Sequence, residues 1–215
     1  MGVVVETISD PAINGPWDMT ALDMGSHAAL FVTNVLNGTV AANGKVVNKG
    51  TVIRINVAVS TSSMPAVQSI TTVGSGFSER TDPAALVIGP TGVRLNSAGM
   101  LYVADSLNNR IVGIPNAATR STSAGVGVTV ASGGALNDPL GLTVRSTNGN
   151  ILTVNGNNGL IIEFNPSGAE VGQGLLDTNG TPPGAGALFG LAIATQGVYY
   201  VDDATNTLNL LSGRL

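Results

Sequence analysis

Pro90-Thr-Gly-Val-Arg-Leu-Asn-Ser-Ala-Gly-Met-Leu-Tyr-Val-Ala-Asp-Ser-Leu-Asn-Asn-Arg-Ile-Val-Gly-Ile114 reads as three short apolar strands parted by a Gly-containing turn and an Asn-Asn turn. The same pattern recurs along the chain. Its opening aligns with Pro16-Trp17-Asp18, Pro139-Leu140-Gly141 and Leu188-Phe189-Gly190, so that successive anchors lie 74, 49 and 49 residues apart. A fixed period of roughly 45–50 residues, with three or four strands in each unit, is the sequence signature of a β-propeller.

The second unit predicts strands over 92–95, 101–104, 110–114 and 126–131. The third predicts 141–144, 151–154, 160–164 and a poorer strand over 170–175. The fourth predicts 190–194, 198–201 and 207–211, and the first 18–22, 29–33, 51–57 and 67–73. Between the second and third strands, Leu30-Phe-Val-Thr-Asn-Val-Leu-Asn37 aligns with Leu101-Tyr-Val-Ala-Asp-Ser-Leu-Asn108 and Tyr199-Tyr-Val-Asp-Asp-Ala-Thr-Asn206. Leu152-Thr-Val-Asn-Gly-Asn-Asn158 fits with one deletion. The recurring Asn tolerates left-handed backbone and bonds its own turn, which is sufficient reason for it.

Composition supports an all-β chain. Of 215 residues only 10% are charged and 4% aromatic, while 29 are Gly, the usage of short strands joined by tight turns. A net charge of −4 with nine dispersed basic residues gives no face for phosphates and so argues against nucleic acid. No apolar run has the length of a membrane span. The absence of Cys removes disulfides, thiol catalysis and Cys-ligated zinc. The opening Met1-Gly2-Val3-Val4-Val5-Glu6 does not read as a signal peptide. The Thr/Asn/Gly-rich style is that of exported bacterial proteins, which points to an extracytoplasmic parent.

The stretch 92–114, with Leu101-Tyr-Val-Ala-Asp-Ser and Asn108-Asn-Arg-Ile-Val, resembles an NHL repeat, a blade type of β-propellers. The resemblance is close in this unit, moderate in the fourth, and rests on strand and turn pattern in the other two. It implies one propeller domain over 1–215, with blades at 16–73, 90–131, 139–175 and 188–211 plus 2–8. NHL-type propellers usually have about six blades, so four is a departure.

The fourth unit lacks an outer strand, and 2–8 is strand-like without a unit of its own. The expectation is that 2–8 completes the last blade, with pairing of two chains into a larger ring as the alternative.

The first unit carries two insertions, 40–50 and 74–89, whose connections both emerge on the face that holds the Asn turns. Loops on a rigid scaffold are where binding concentrates. This predicts a binding propeller whose upper face takes a protein, peptide, glycan or small molecule. The candidate ligand-binding residues are Asp18, Phe77, Glu79, Arg80, Asp82, Arg94, Arg110 and Arg145. The alternative is a hydrolase of esters, lactones or phosphotriesters, similar in fold to the phosphotriesterase-like and lactonase-like propellers. It would use calcium held by Asn34, Asp105, Asp202 and Asp203, since oxygen-rich ligands converging on the axis are those calcium takes. The single His27 is placed in a turn on the opposite face, away from either site.

Overall fold

Runs of Val, Ile, Leu and Thr bounded by Gly and Asn turns form sixteen strands among the described residues of the computed structural model, which are 2–83, 86–213 and 215. All neighbouring strands pair antiparallel and in chain order, giving four separate sheets. The first sheet contains β1 (Pro16–Asp23), β2 (His27–Asn34), β3 (Val47–Ala58), β4 (Ala66–Asp82) and β5 (Leu86–Ile88). The second contains β6 (Pro90–Leu95), β7 (Leu101–Asp105), β8 (Arg110–Ile114) and β9 (Val128–Ser132). The third contains β10 (Pro139–Val144), β11 (Ile151–Asn155), β12 (Leu160–Phe164) and β13 (Glu170–Leu175). The fourth has three strands, β14 (Leu188–Ala194), β15 (Gly197–Asp202) and β16 (Thr207–Leu211). The inner strands β1, β6, β10 and β14 pack side by side in that order, so the sheets are the blades of a propeller.

The repeat anchors are bulges. Pro16 pairs with Asn34, yet the next pairing is Met19 with Val32, leaving one extra residue on the inner strand. The same slip follows Pro90↔Asp105, Pro139↔Asn155 and Leu188↔Asp202. A bulge bends the strand and re-aims its side chains. Here it directs Trp17-Asp18, Gly92, Leu140-Gly141 and Phe189-Gly190 to one central channel.

Because side chains alternate, each blade has one face toward the blade before it and one toward the blade after it. Phe31 and Val52 of the first blade meet Val103, Val112 and Ile114 of the second. Tyr102, Ala104 and Ile111 then face Leu142, Ile151 and Ile162 of the third. Leu152, Val154 and Ile161 complete the pattern against Leu188 and Val198 of the fourth. Three apolar seams thus join four blades. No packing comparable to that between neighbouring inner strands returns from β14 to β1 among the described residues, and the ring is an arc with two ends.

Three expectations are corrected. Residues 2–8 form no strand and do not complete the last blade. Ile8 instead packs with Ala12 and Ile13 against Val32, Ile53 and Ile55 of the first blade. The insertions are not free loops. β3 begins at Val47 and β4 runs on to Asp82, and the two pair through Gly50↔Phe77, Asn48↔Ser78 and Val47↔Glu79. They zip into a β-arm, finished by β5 folding back on β4 through Arg80↔Ile88. The remainder of the first insertion is a single helical turn, α1 (Thr39–Ala42). Finally, the fourth blade sits one residue out of the sequence alignment, for Asp202 rather than Asp203 is equivalent to Asp105. The positive-φ residue of each upper turn confirms it, at Gly38, Asn109, Gly159 and Asn206, each four residues past the strand-end position.

The bulge glycines set the blade spacing. A Cβ on Gly141 would strike the carbonyl oxygen of Phe189, and one on Gly92 that of Leu140. Gly141→Ala is therefore expected to lower stability by roughly 2–3 kcal/mol, the scale of an overpacked core. The urea midpoint should fall while the slope stays that of the parent.

Candidate functional site

Residues from all four blades line a cavity of about 200 Å³ on the upper face. The β-arm supplies Arg80, Asp82 and, through β5, Ile88. The second blade supplies Ser106, Leu107 and Asn109 from the short 3₁₀ turn after β7. Asn137 and Asp138 come from the turn before β10, Gly156 and Asn157 from the turn after β11, and Gly186 and Phe189 from the approach to β14. Leu140 and Phe189 also line the central channel, so the cavity continues down the axis into a second space of about 320 Å³ walled by Trp17 and Asp18.

Asp138 is the chemically distinct member. It adopts φ 60°, in the left-handed region that Asp enters more readily than most residues. Its amide donates to Asn109 Oδ1 at 2.7 Å, and its carbonyl accepts from Gly156 N at 2.7 Å, which fix the backbone. Its Oδ1 is buried and has no hydrogen-bond partner. Burial pushes this carboxyl up to about 6, and the neighbouring Asp82 adds to the rise while Arg80 opposes it. Arg80 is itself paired with Asp82 at 2.9 Å, an ion pair at the rim of the cavity. Asp18 lies deeper. Its Oδ2 accepts Val93 N–H at 3.0 Å and its Oδ1 accepts Met19 N–H at 2.7 Å. Burial raises its pKa, while those amides and Arg94 act against the rise.

Of the candidate ligand residues, Arg80 and Asp82 reach this cavity and Asp18 the channel below it. The others are engaged elsewhere. Phe77 is fully buried in the seam between the first two blades. Arg94 is exposed at the edge of β6. Arg110 Nε donates to Asp105 at 2.6 Å. Arg145 forms a two-point bridge to Glu163 at 3.0 and 3.2 Å, near the turn leading into β11 on the opposite face. His27 also lies away from the site, at the start of β2.

The calcium set does not assemble. Asp105 is fully buried, with its carboxylate occupied by Arg110 and both oxygens receiving Asn108 Nδ2. Asn34 Oδ1 accepts Asn14 N–H at 3.0 Å, and Asp202 Oδ1 accepts Thr205 N–H at 3.2 Å. Asp203 is exposed. Among the described residues no three acidic or histidine side chains come together as cation ligands. These residues terminate strands and hold turns, and they do not fit a metal. Sequence reasoning missed Asn109, Asn137 and Asn157. Single polar residues in turns carry no signal until the fold gathers them.

No protein-family model and no curated protein matches the sequence. Solved structures do resemble the fold. A streptogramin B lyase aligns over 95% of this chain and 53% of its own, with TM-score 0.52 and 14% identity. A catalytically inactive virginiamycin B lyase from Staphylococcus aureus, solved with quinupristin, aligns over 92% and 84%, with TM-score 0.48 and 12% identity. The nidogen/laminin complex aligns over 93% and 75%, with TM-score 0.45 and 15% identity. The protein is a β-propeller, and identity this low carries the fold and nothing about chemistry.

Glu79 was expected on the binding surface and lies inside the wall. It is 0% exposed, neither oxygen has a hydrogen-bond partner, and its Cβ backs onto Gly89 beside Val35. Burial pushes it up to about 7 from 4.5, while the nearby Asn37 amide, which makes no full hydrogen bond to it, and the Lys49 ammonium act the other way. A raised native pKa means that its stabilising proton is fully held below pH 4.5 and lost as pH rises through about 7. Between those limits the folded state should lose about 3 kcal/mol through this group, at about 1.4 kcal/mol per pH unit. Glu79→Gln should be the more stable protein at pH 8 and show a flatter stability profile from pH 4.5 to 7 in denaturant titrations.

Proposed function

We propose that the protein is a ligand-binding propeller whose site is the upper cavity, and that its ligand is a small hydroxyl-rich molecule such as a terminal sugar of a glycan. The observation that carries this reading is the buried, unpartnered Oδ1 of Asp138 in a cavity whose polar lining also holds three asparagines, Ser106 and the Arg80–Asp82 pair. A buried polar atom without a partner costs about 1–3 kcal/mol, which a ligand donor would recover. Asn109, Asn137 and Asn157 offer both donors and acceptors, as a ring of hydroxyls requires. Phe189, Leu140 and Ile88 give an apolar floor for the carbon face of such a ring. At about 200 Å³ the cavity is smaller than the roughly 300–1,000 Å³ of sites for drug-sized ligands, which favours a single ring.

The blades are read as NHL-like. Support comes from the second unit, where Asp105 receives Asn108 and Arg110, the residues that carry the resemblance. The first and third blades have Asn34 and Asn155 at the equivalent place and build their turns differently.

Binding is expected to change near pH 6, where Asp138 exchanges its proton. A panel of immobilised glycans followed by calorimetry provides the check. Asp138→Ala and Asn157→Ala should each weaken the selected ligand about tenfold or more, the scale of one lost buried hydrogen bond. Failure to bind any sugar in the panel, or an affinity untouched by Asp138→Ala, would overturn the reading.

A further inference from the structure

The two ends of the arc are the two halves of one missing seam. On the fourth blade, Tyr199 pairs with Ala192 and Leu210, and Val201 with Leu208, so these side chains share one face of the sheet. Strand register makes Tyr199 the equivalent of Phe31, Tyr102 and Leu152, each of which is buried against the following blade. On the fourth blade Tyr199 is half-buried and the side chains beside it are exposed. Leu208 is 68% exposed, Leu210 44% and Val201 39%.

The first blade is open on its other side. Val32 is the equivalent of Val103 and Tyr200, which pack against the preceding blade. Around Val32 an apolar groove of about 450 Å³ runs between Trp17, Met19, Leu30 and Ile55, with Ile8 and Ile13 as one bank. Met19, at its rim, is 54% exposed.

We infer that the occupant of each open face is a second copy of this chain, with blade four of one copy seated on blade one of the other. Three arguments converge on that partner. The open faces are opposite in kind, one matching the leading side and one the trailing side of the three existing seams. The side chains that would meet are apolar, Tyr199, Val201, Leu208 and Leu210 against Met19, Leu30, Val32 and Ile55, and the one charged residue lining the groove, Asp18, already accepts the Val93 and Met19 amides. A head-to-tail contact repeated twice about a two-fold axis closes, giving a ring of eight blades with no apolar face left over. Contiguous apolar faces of this kind mark association sites.

Light scattering on the full 215-residue chain should give twice the 21.5 kDa chain mass at micromolar concentration. The exposed pair Leu208→Asp with Leu210→Asp should abolish the dimer, and so should Met19→Asp on the other face, each with an unchanged far-ultraviolet circular dichroism spectrum. Mixing the two variants restores one intact seam per pair, so a dimer should reappear in the mixture alone. A monomer at every concentration would overturn the inference. So would a Met19→Asp protein that stays dimeric, which would mean that like faces pair, or chains that grow with concentration into open filaments.

Discussion

Everything in this molecule hangs on how closely the inner strands approach one another. At Gly92 and Gly141 the backbone of one blade lies against the backbone of the next, where a Cβ would meet the main chain of Leu140 and Phe189. Hydroxyls tie the same seam. Thr33 Oγ1 donates to Thr91 O at 2.8 Å, and Ser106 Oγ donates to Pro139 O at 2.6 Å, with Thr91 Oγ1 close by. A buried carbonyl at a bulge has lost its ladder partner and must find another. The neighbouring blade supplies it. The first blade has Asp18 in place of the glycine and makes the equivalent link with a carboxylate, to Val93 N–H. The fourth blade has Gly190, which meets only Val201 of its own sheet at 3.4 Å. Among the described residues no other blade comes within 4 Å of a Cβ placed there.

The same construction places the cavity. Bulges turn Leu140 and Phe189 toward the axis, and the upper turns lie above them because the strands end there. The β-arm then adds a wall that an unadorned blade would lack. Its pairing explains why two insertions separated in sequence act as one. Residues 40–50 and 74–89 extend adjacent strands, and an extended strand with an unpaired edge would expose its amides. Each insertion satisfies the other, and Arg80 and Asp82 are delivered to the cavity as a consequence.

Much of this was legible in the chain. The period and the order of the strands follow from repeated text, because a repeat is a statement about geometry that survives substitution. What failed did so for identifiable reasons. Tyr199-Tyr200 offers two registers to an alignment, and only pairing with Leu188 selects the one that makes Asp202 the strand end. A one-residue slip changes which face a side chain occupies. That is how Asp203 was taken for a ligand when it faces solvent. Val3-Val4-Val5 has strand propensity yet pairs with no strand, and propensity alone does not decide a segment's structure. The charges of 77–82 looked like a surface loop because nothing in their own sequence reports the partner strand at 47–50. The Asn residues of the cavity, scattered over three separate turns, have no local signature at all.

The two buried acids show why fold, and not charge, separates a site from a structural cost. Glu79 and Asp138 are both raised by burial, and both have oxygens without partners. Glu79 is enclosed between Val35, Gly89 and the β-arm, where no ligand reaches it, so its proton reports only on stability. Asp138 lies at the lip of a cavity, among side chains that can donate and accept, and beside the Arg80–Asp82 ion pair. Its unmet hydrogen bond can be satisfied from outside the chain. A sequence reading that ranks residues by charge and exposed-loop context selects Glu79 over Asp138. The order reverses once the turn before β10 and the zipped arm are in place, because together they leave one acid inside a wall and the other facing a polar cavity lined from all four blades.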